Sequence, residues 1–378
     1  NSPLGMLSIS SRDAQNTIPH ITKKQLSTVD VFVPDLSTQL NIIETNNKID
    51  QLTLDLADHK KQLWRHPKAI NSINKKLAFF EKDEKVDHWI DSLPFPISSI
   101  LWKYFSTNET SKKEEHLLHF FEAFSEFVSM LMISAFNTNK EIYETESHKW
   151  KGEGKFEDWY LRADFGGWNN LAANLSKATR TLLNEKDSMT RCNEMFGNPE
   201  EAFLEFITSK SLINILSDVR EYRNKWKGHG GVANEKEHKN RVTILEAKLT
   251  ELRKLIGDGF SSCKIISANS NTYSNGIYTF NAKELTGNRT PFNEIDIESL
   301  IPLDKNKLYI VHSGQNKPIE LVPFIKFNQE TGACYYYSSM KDSKVRWISF
   351  HYEEAAELSE ELDDKIEEML NILKRNTE

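Results

Sequence analysis

From Glu114 to Phe136 the chain reads EEHLLHFFEAFSEFVSMLMISAF, and no other stretch limits the possible folds as tightly. Wound as a helix, its apolar residues cover most of the circumference instead of one stripe. Such a helix has to be the centre of a bundle. Sequence able to wrap it lies on both sides. "LPFPISSILWKYF" opens with prolines that set up a helix N-terminus. "NLAANLSKATRTLL", "PEEAFLEFITSKSLINILSDVREYRNKWK" and "NEKEHKNRVTILEAKLTELRKLI" carry apolar residues at helical spacing, the last closed by Gly257. Residues 85–257 therefore predict a helical bundle.

Near Ser261 the period shortens. "TYSNGIYTFN" sets an Asn-Gly turn between β-prone flanks, a hairpin signal. "KLYIVHS", "IELVPFIKFN", "ACYYYSSM" and "VRWISFHY" follow as four more strands, so 262–352 predicts a small antiparallel β-domain. Leu358, Leu362, Ile366, Met369 and Leu373 then predict an acidic amphipathic helix over 353–378. At the other end, residues 7–80 hold one strand-like stretch, "STVDVFVPDL", and a helix beginning near Leu36. Ile42, Ile49, Leu56 and Leu63 recur in that helix at intervals of seven, with Leu52 beside them, as in a helix-pairing seam that stops before Pro67. Residues 1–6 read as an expression-tag remnant. The expected class is mainly α, a helical bundle with a small antiparallel β-domain and an acidic C-terminal helix, α+β overall.

Charge is informative only by location. Glu353–Glu378 holds ten acidic and three basic residues and so carries the whole net charge of −7. The rest is neutral, and a nucleic-acid partner would have to be held by a local basic patch. Cys192, Cys263 and Cys334 lie far apart without a C-x-x-C pair, which predicts reduced thiols in a cytoplasmic protein and no zinc site. With 38% hydrophobic and 27% charged residues, the composition is that of a globular chain with no membrane partner.

The one basic cluster with chemical promise is "REYRNKWKGHGG", residues 220 to 231. Leu212, Leu216, Val219 and Trp226 share a helix face, and Arg223 sits at its border. His229 follows Arg223 by six positions, about 240° of rotation and ~9 Å of rise on an unbroken helix. Gly228, Gly230 and Gly231 allow the helix to stop, so that His229 folds back toward Arg223; two copies facing each other in a dimer are a second route. Arginine, asparagine and histidine suffice for metal-free RNA cleavage. Arg223 would hold the scissile phosphate, His229 would move a proton to or from the ribose 2′-OH or the leaving 5′-oxygen, and Asn224 would orient either. Arg220, Lys225 and Lys227 are candidate substrate contacts. A basic helix end favoured by the macrodipole alone is the alternative reading.

An all-helical bundle carrying R-N-x4-H, here Arg223, Asn224 and His229, resembles the HEPN family (higher eukaryote and prokaryote nucleotide-binding domains) over 85–257. "RADFGGWNNLAANLSKATR" is similar to the segment that precedes the motif in many such proteins. The resemblance implies a metal-independent endoribonuclease without cofactors. Two motif copies of a homodimer would face each other, leaving 2′,3′-cyclic phosphate and 5′-hydroxyl ends. It equally admits a non-catalytic binding module, since the family contains both.

Pro34, Leu36, Gln39 and Ile42, placed after a strand and opening a seam helix, resemble the end of a target-recognition domain in type I restriction–modification specificity subunits. Only the end of such a domain is present, over about residues 7–65. Together the two resemblances imply a toxin or effector in bacterial anti-phage or restriction-like defence. RNA and a second copy would be its partners, with DNA or DNA-modification subunits reached through a region upstream. The alternative is a dimerisation or interaction module of a larger DNA-modification protein.

Three further groups are weaker candidates. His116, His119 and Glu122 are spaced for a metal, but their apolar neighbours favour the rim of a core helix. The glycines of "GEGKFEDWYLRADFGG" form no phosphate-binding motif. Tyr335, Tyr336, Tyr337 and Trp347 could stack bases, although a half-buried sheet explains them more simply.

Overall fold

The computed structural model describes residues 86–150, 158–228 and 233–373 apart from 289, 306, 355 and 363, together with scattered residues between 39 and 65. The chain divides into two units, residues 1–83 and 84–378. In the first unit the described residues between 39 and 65 are helical. Ile42, Ile43, Ile49 and Leu54 on it are 55%, 57%, 55% and 63% exposed. The strand expected at "STVDVFVPDL", with Pro34 and Leu36, lies outside the described residues, as do Leu52, Leu56 and Leu63.

The second unit is built on one long helix, as the apolar stretch requires. After α1 (Phe95–Ser106), with Pro94 just ahead of its first turn, comes α2 (Thr110–Asn137). By length and composition α2 could cross a membrane, but 83% of its most apolar window is buried inside the unit. Phe120, Phe121, Phe124, Phe127 and Phe136 on it are fully buried, each contributing about 1.5–3 kcal/mol of apolar burial. Around it pack α3 (Lys140–Glu146), α4 (Phe165–Asn184), α5 (Lys186–Met195), α6 (Glu201–Ile207), α7 (Lys210–Gly228) and α8 (Glu235–Ile256). The start of α8 is fixed by a reciprocal cap in which Asn234 and Glu237 each accept the other's backbone N–H. Its end is Gly257 at φ +46°, a conformation that favours glycine.

Beyond α8 the chain forms two antiparallel sheets. The first, in the order β3-β2-β1-β4-β5, contains β1 (Cys263–Ser274), β2 (Ile277–Glu284), β3 (Asn293–Ser299), β4 (Leu308–His312) and β5 (Ile319–Glu320). The Asn-Gly signal marks the β1–β2 turn, where Asn275 and Gly276 have φ of +52° and +83°. The second, in the order β6-β7-β8-β9, contains β6 (Ile325–Asn328), β7 (Ala333–Lys341), β8 (Lys344–Ile348) and β9 (Glu357–Glu361).

Two expectations need correction. Residues 353–378 are not one acidic helix, because 357–361 form β9, with Leu358 opposite Trp347 on β8. Alternating exposure along Glu357–Glu361 is the period of an edge strand, and among the described residues the helix that follows, α9, spans Asp364–Leu373. Nor do 85–257 and 262–352 separate. A single core cluster contains Phe124 and Phe127 of α2, Ile265 of β1, Tyr336 and Tyr337 of β7, and Leu370 of α9. The Ser134 hydroxyl accepts the Val322 amide at 2.9 Å, and the Tyr337 hydroxyl donates to the Tyr160 carbonyl at 2.6 Å. Tyr335, Tyr336, Tyr337 and Trp347 are at most 1% exposed, so they pack the joint between helices and sheet and present no face to a base.

Candidate functional site

The motif helix α7 is held on three sides. Val219, Leu216 and Leu212 are fully buried and anchor it in the bundle. Arg223 leaves the border of that face toward α2, where its Nη2 lies 3.2 Å from Oε2 of Glu122. Both side chains are largely enclosed, at 19% and 13% exposure. One turn earlier, Nη1 of Arg220 donates to Oδ1 of Asn170 on α4 at 3.3 Å. Asn169 beside it donates from Nδ2 to the Ser217 hydroxyl at 3.1 Å, while its buried Oδ1 has no hydrogen-bond partner. Two arginines one turn apart are thus each fixed by a different helix.

The "FGGW" segment explains how α4 comes so close. Asp164 caps the helix through the Gly167 N–H at 2.9 Å. A Cβ on Gly167 would stand 2.3 Å from the Trp159 ring, so only glycine lets Trp159 lie across the helix start and meet Trp168 edge-on. A Cβ on Gly166 would stand 4.0 Å from Cδ of Arg220, which places the same turn directly beside that arginine.

Carboxylates on α2 complete the surroundings. Glu126, one turn beyond Glu122, is 2% exposed and its Oε1 has no hydrogen-bond partner. Burial, and then the nearby Glu122 charge, push its pKa well above the usual carboxylate range against a hydrogen bond from the Tyr337 backbone. Burial thus favours the neutral form of Glu126, and Glu122 is the carboxylate paired with Arg223. Toward the other end of α2, Glu114 is held by His238 Nδ1 at 2.6 Å and by Arg241 Nη1 at 3.1 Å, both from α8. Arg241 also covers Trp226 with its Cζ 5.2 Å from the ring centre, and Trp226 stacks on Tyr222 at 5.7 Å.

Against the sequence expectations, Arg220 and Arg223 are brought into one partly buried row. Asn224 and Lys225 are exposed beside them. Lys227 lies on α7, but its side chain and the whole of His229 fall outside the described residues, and with them the expected approach of His229 to Arg223. His116, His119 and Glu122 serve separate ends: His116 is buried, His119 packs on Phe350 at 5.0 Å, and Glu122 pairs with Arg223.

Comparison with known proteins adds no relative. No family model, curated protein or solved structure matches the chain. What the site can do rests on its own residues.

Those residues favour anions with several oxygens. An arginine carries five N–H donors, and Glu122 occupies one end of the Arg223 fork. Nη2 meets the carboxylate at 3.2 Å, which tethers the guanidinium at one of its nitrogens. Sequence reasoning missed Glu114, Glu122 in this role, Glu126, Asn169, Asn170, His238 and Arg241. One signal was available: Glu122 and Glu126 are one turn apart in the most apolar part of the helix, so they lie side by side and need partners.

Proposed function

We propose that the helical part of this chain is a metal-independent endoribonuclease of HEPN type and that α7 carries its motif. The observation that bears most weight is the fixed pair Arg220 and Arg223, tied to Asn170 and Glu122 beside exposed Asn224 and Lys225. Orientation set before the substrate arrives is what charge stabilisation at a phosphoryl centre requires. In this reading Arg223 binds the scissile phosphate and His229 moves a proton. Asn224 orients the reacting groups, and Arg220, Lys225 and Lys227 hold neighbouring phosphates. The two sequence resemblances carry the wider role, that of a toxin or effector in bacterial defence, acting in the cytoplasm as a homodimer and linked to DNA-modification subunits.

The test is incubation of EDTA-treated protein with single-stranded RNA. Wild type is expected to leave 2′,3′-cyclic phosphate and 5′-hydroxyl ends. Arg223→Ala should lower the rate about 100-fold or more, and His229→Ala should abolish cleavage without changing the circular dichroism. No cleavage by wild type would sink the reading.

One observation supports a second reading, a non-catalytic dimerisation module. The helix of the first unit exposes Ile42, Ile43, Ile49 and Leu54, and exposed apolar side chains of this kind mark interaction sites where they form a patch. That reading expects a dimer and no RNA cleavage.

A further inference from the structure

We infer that the cavity bordered by the two open sheet edges β5 and β6 binds an extended, lysine- or arginine-bearing segment of another protein as an added strand. The groove shares no residue with the α7 site, so a ribonuclease and a binding module alike can carry it.

Strands β5 and β6 end different sheets, β3-β2-β1-β4-β5 and β6-β7-β8-β9. Four residues join them, and both strands line one open cavity of about 1190 Å³. Pockets for single small ligands run to about 300–1,000 Å³, so this space suits a length of chain.

Unpaired backbone borders it. In an antiparallel ladder alternate residues bond to the neighbouring strand, and those between direct their N–H and C=O away from it. Phe324, just ahead of β6, fixes which residues do which, because its carbonyl accepts the Tyr337 N–H at 2.8 Å. Lys326 and Asn328 follow at intervals of two, opposite Tyr335 and Ala333 on β7. Ile325 and Phe327 therefore present their backbone groups to the open side of β6, and both residues line the cavity. An edge of this kind is a template for a further strand. The four residues of β6 offer about 13 Å of it.

The walls select the segment. Ile301, Leu358 and Ile372 line the cavity as exposed or half-buried apolar groups, ready for alternate side chains of an added strand. Charge sets the sign of the others. Two ion pairs, Lys307 with Glu320 and Lys326 with Glu360, cancel within the lining. Of the remaining charged residues described there, Asp304, Glu330 and Glu368 are acidic and Lys305 alone is basic. The wall formed by β9 and α9 belongs to the stretch Glu353–Glu378, which carries the net charge of −7. Cations are thus favoured, and the phosphates of a nucleic acid are repelled. Lys326 shows how a cation is held, with its Nζ 4.2 Å from the Trp347 ring centre and paired with Glu360. Glu330 and Glu368 are exposed and open to a lysine or arginine of the incoming strand.

The test selects random nonapeptides displayed on phage against the full chain, after depleting the pool on Glu330→Lys/Glu368→Lys. Both positions are exposed, so the double variant should melt with wild type. Enriched peptides should alternate apolar residues with lysine or arginine. A synthetic copy, followed by fluorescence anisotropy, should bind the double variant about tenfold or more weakly. Glu330→Gln/Glu368→Gln, which removes charge without reversing it, should weaken binding about threefold. Two further copies, N-methylated at odd or at even positions, each lack the N–H donors of one edge. At least one of them should bind about tenfold more weakly. The proposal is overturned if no peptide is enriched over the double variant, or if the enriched peptides carry no lysine or arginine. It is equally overturned if neither N-methylated copy weakens. A wild-type dimer that dissociates in the double variant, with no peptide enriched, would give the groove to a second copy instead.

Discussion

Glu126 is buried where the bundle meets the second sheet, beside the Tyr337 backbone. Because burial raises its pKa, it stays protonated when folded but ionises when unfolded at neutral pH. Its stabilising contribution is complete below the ordinary carboxylate range and is lost as pH rises. Glu126→Gln should therefore raise the melting temperature at pH 8 and leave it nearly unchanged at pH 4.5. A lower melting temperature at pH 8 would mean that the ionised form is needed. Two buried imidazoles act in the opposite sense. Burial pushes His312 down to about 4, and burial with the Lys103 charge does the same to His351. Between the ordinary histidine value near 6.5 and about 4, the unfolded chain takes up protons that the folded chain refuses, so stability falls as pH falls. Each group should remove about 2 kcal/mol between pH 7.5 and pH 5. Urea midpoints at the two pH values measure the loss, and His312→Leu should reduce it by about half. An unaltered pH dependence in that variant would show that the His312 ring is solvated.

At the scale of elements, the close approach of α4 to the motif helix depends on one missing side chain. Gly167→Ala drives a Cβ to 2.3 Å from Trp159 and should destabilise by about 1–3 kcal/mol through that overpacking. At Gly166 the nearest atom is Asp164 Oδ1 at 3.2 Å, and alanine there should cost less. Thermal melts that rank the two variants the other way would contradict this packing. The elements also show where the sequence could be read and where it could not. Apolar residues around the whole of α2 force a central helix, and Asn275-Gly276 marks its hairpin, because both signals are local. Strand β9 reads as helix because glutamates favour helices and its five residues are too few to separate a period of two from 3.6. Glu122 and Arg223 lie 101 positions apart, and Glu114 and His238 lie 124 apart. No local pattern joins residues so distant; only packing of α2 against α7 and α8 does. Arg223 is legible as a candidate from its spacing, but its partner is not.

For the whole molecule, the helices, one face of the first sheet and the second sheet share a core, while Ile266, Phe280, Tyr309 and Val311 form a second cluster on the first sheet; a change in the second sheet reaches α2 through Tyr337 and Glu126. The first unit carries its own apolar row, on the helix that holds Ile42 and Ile49. Ile42→Asp with Ile49→Asp should convert a dimer to a monomer in light scattering, while the melting of the larger unit stays in place. A monomeric wild type would remove the reading of that row as a pairing seam. The ribonuclease claim itself is tested most directly by the sugar it requires. A DNA oligonucleotide carrying a single ribonucleotide is incubated with the protein in EDTA, beside the same strand with a 2′-O-methyl group at that position. Cleavage solely after the free ribose, leaving a 2′,3′-cyclic phosphate and lost in Arg223→Ala, is the expected result. An intact ribose strand, or equal cutting of the 2′-O-methyl strand, would contradict it.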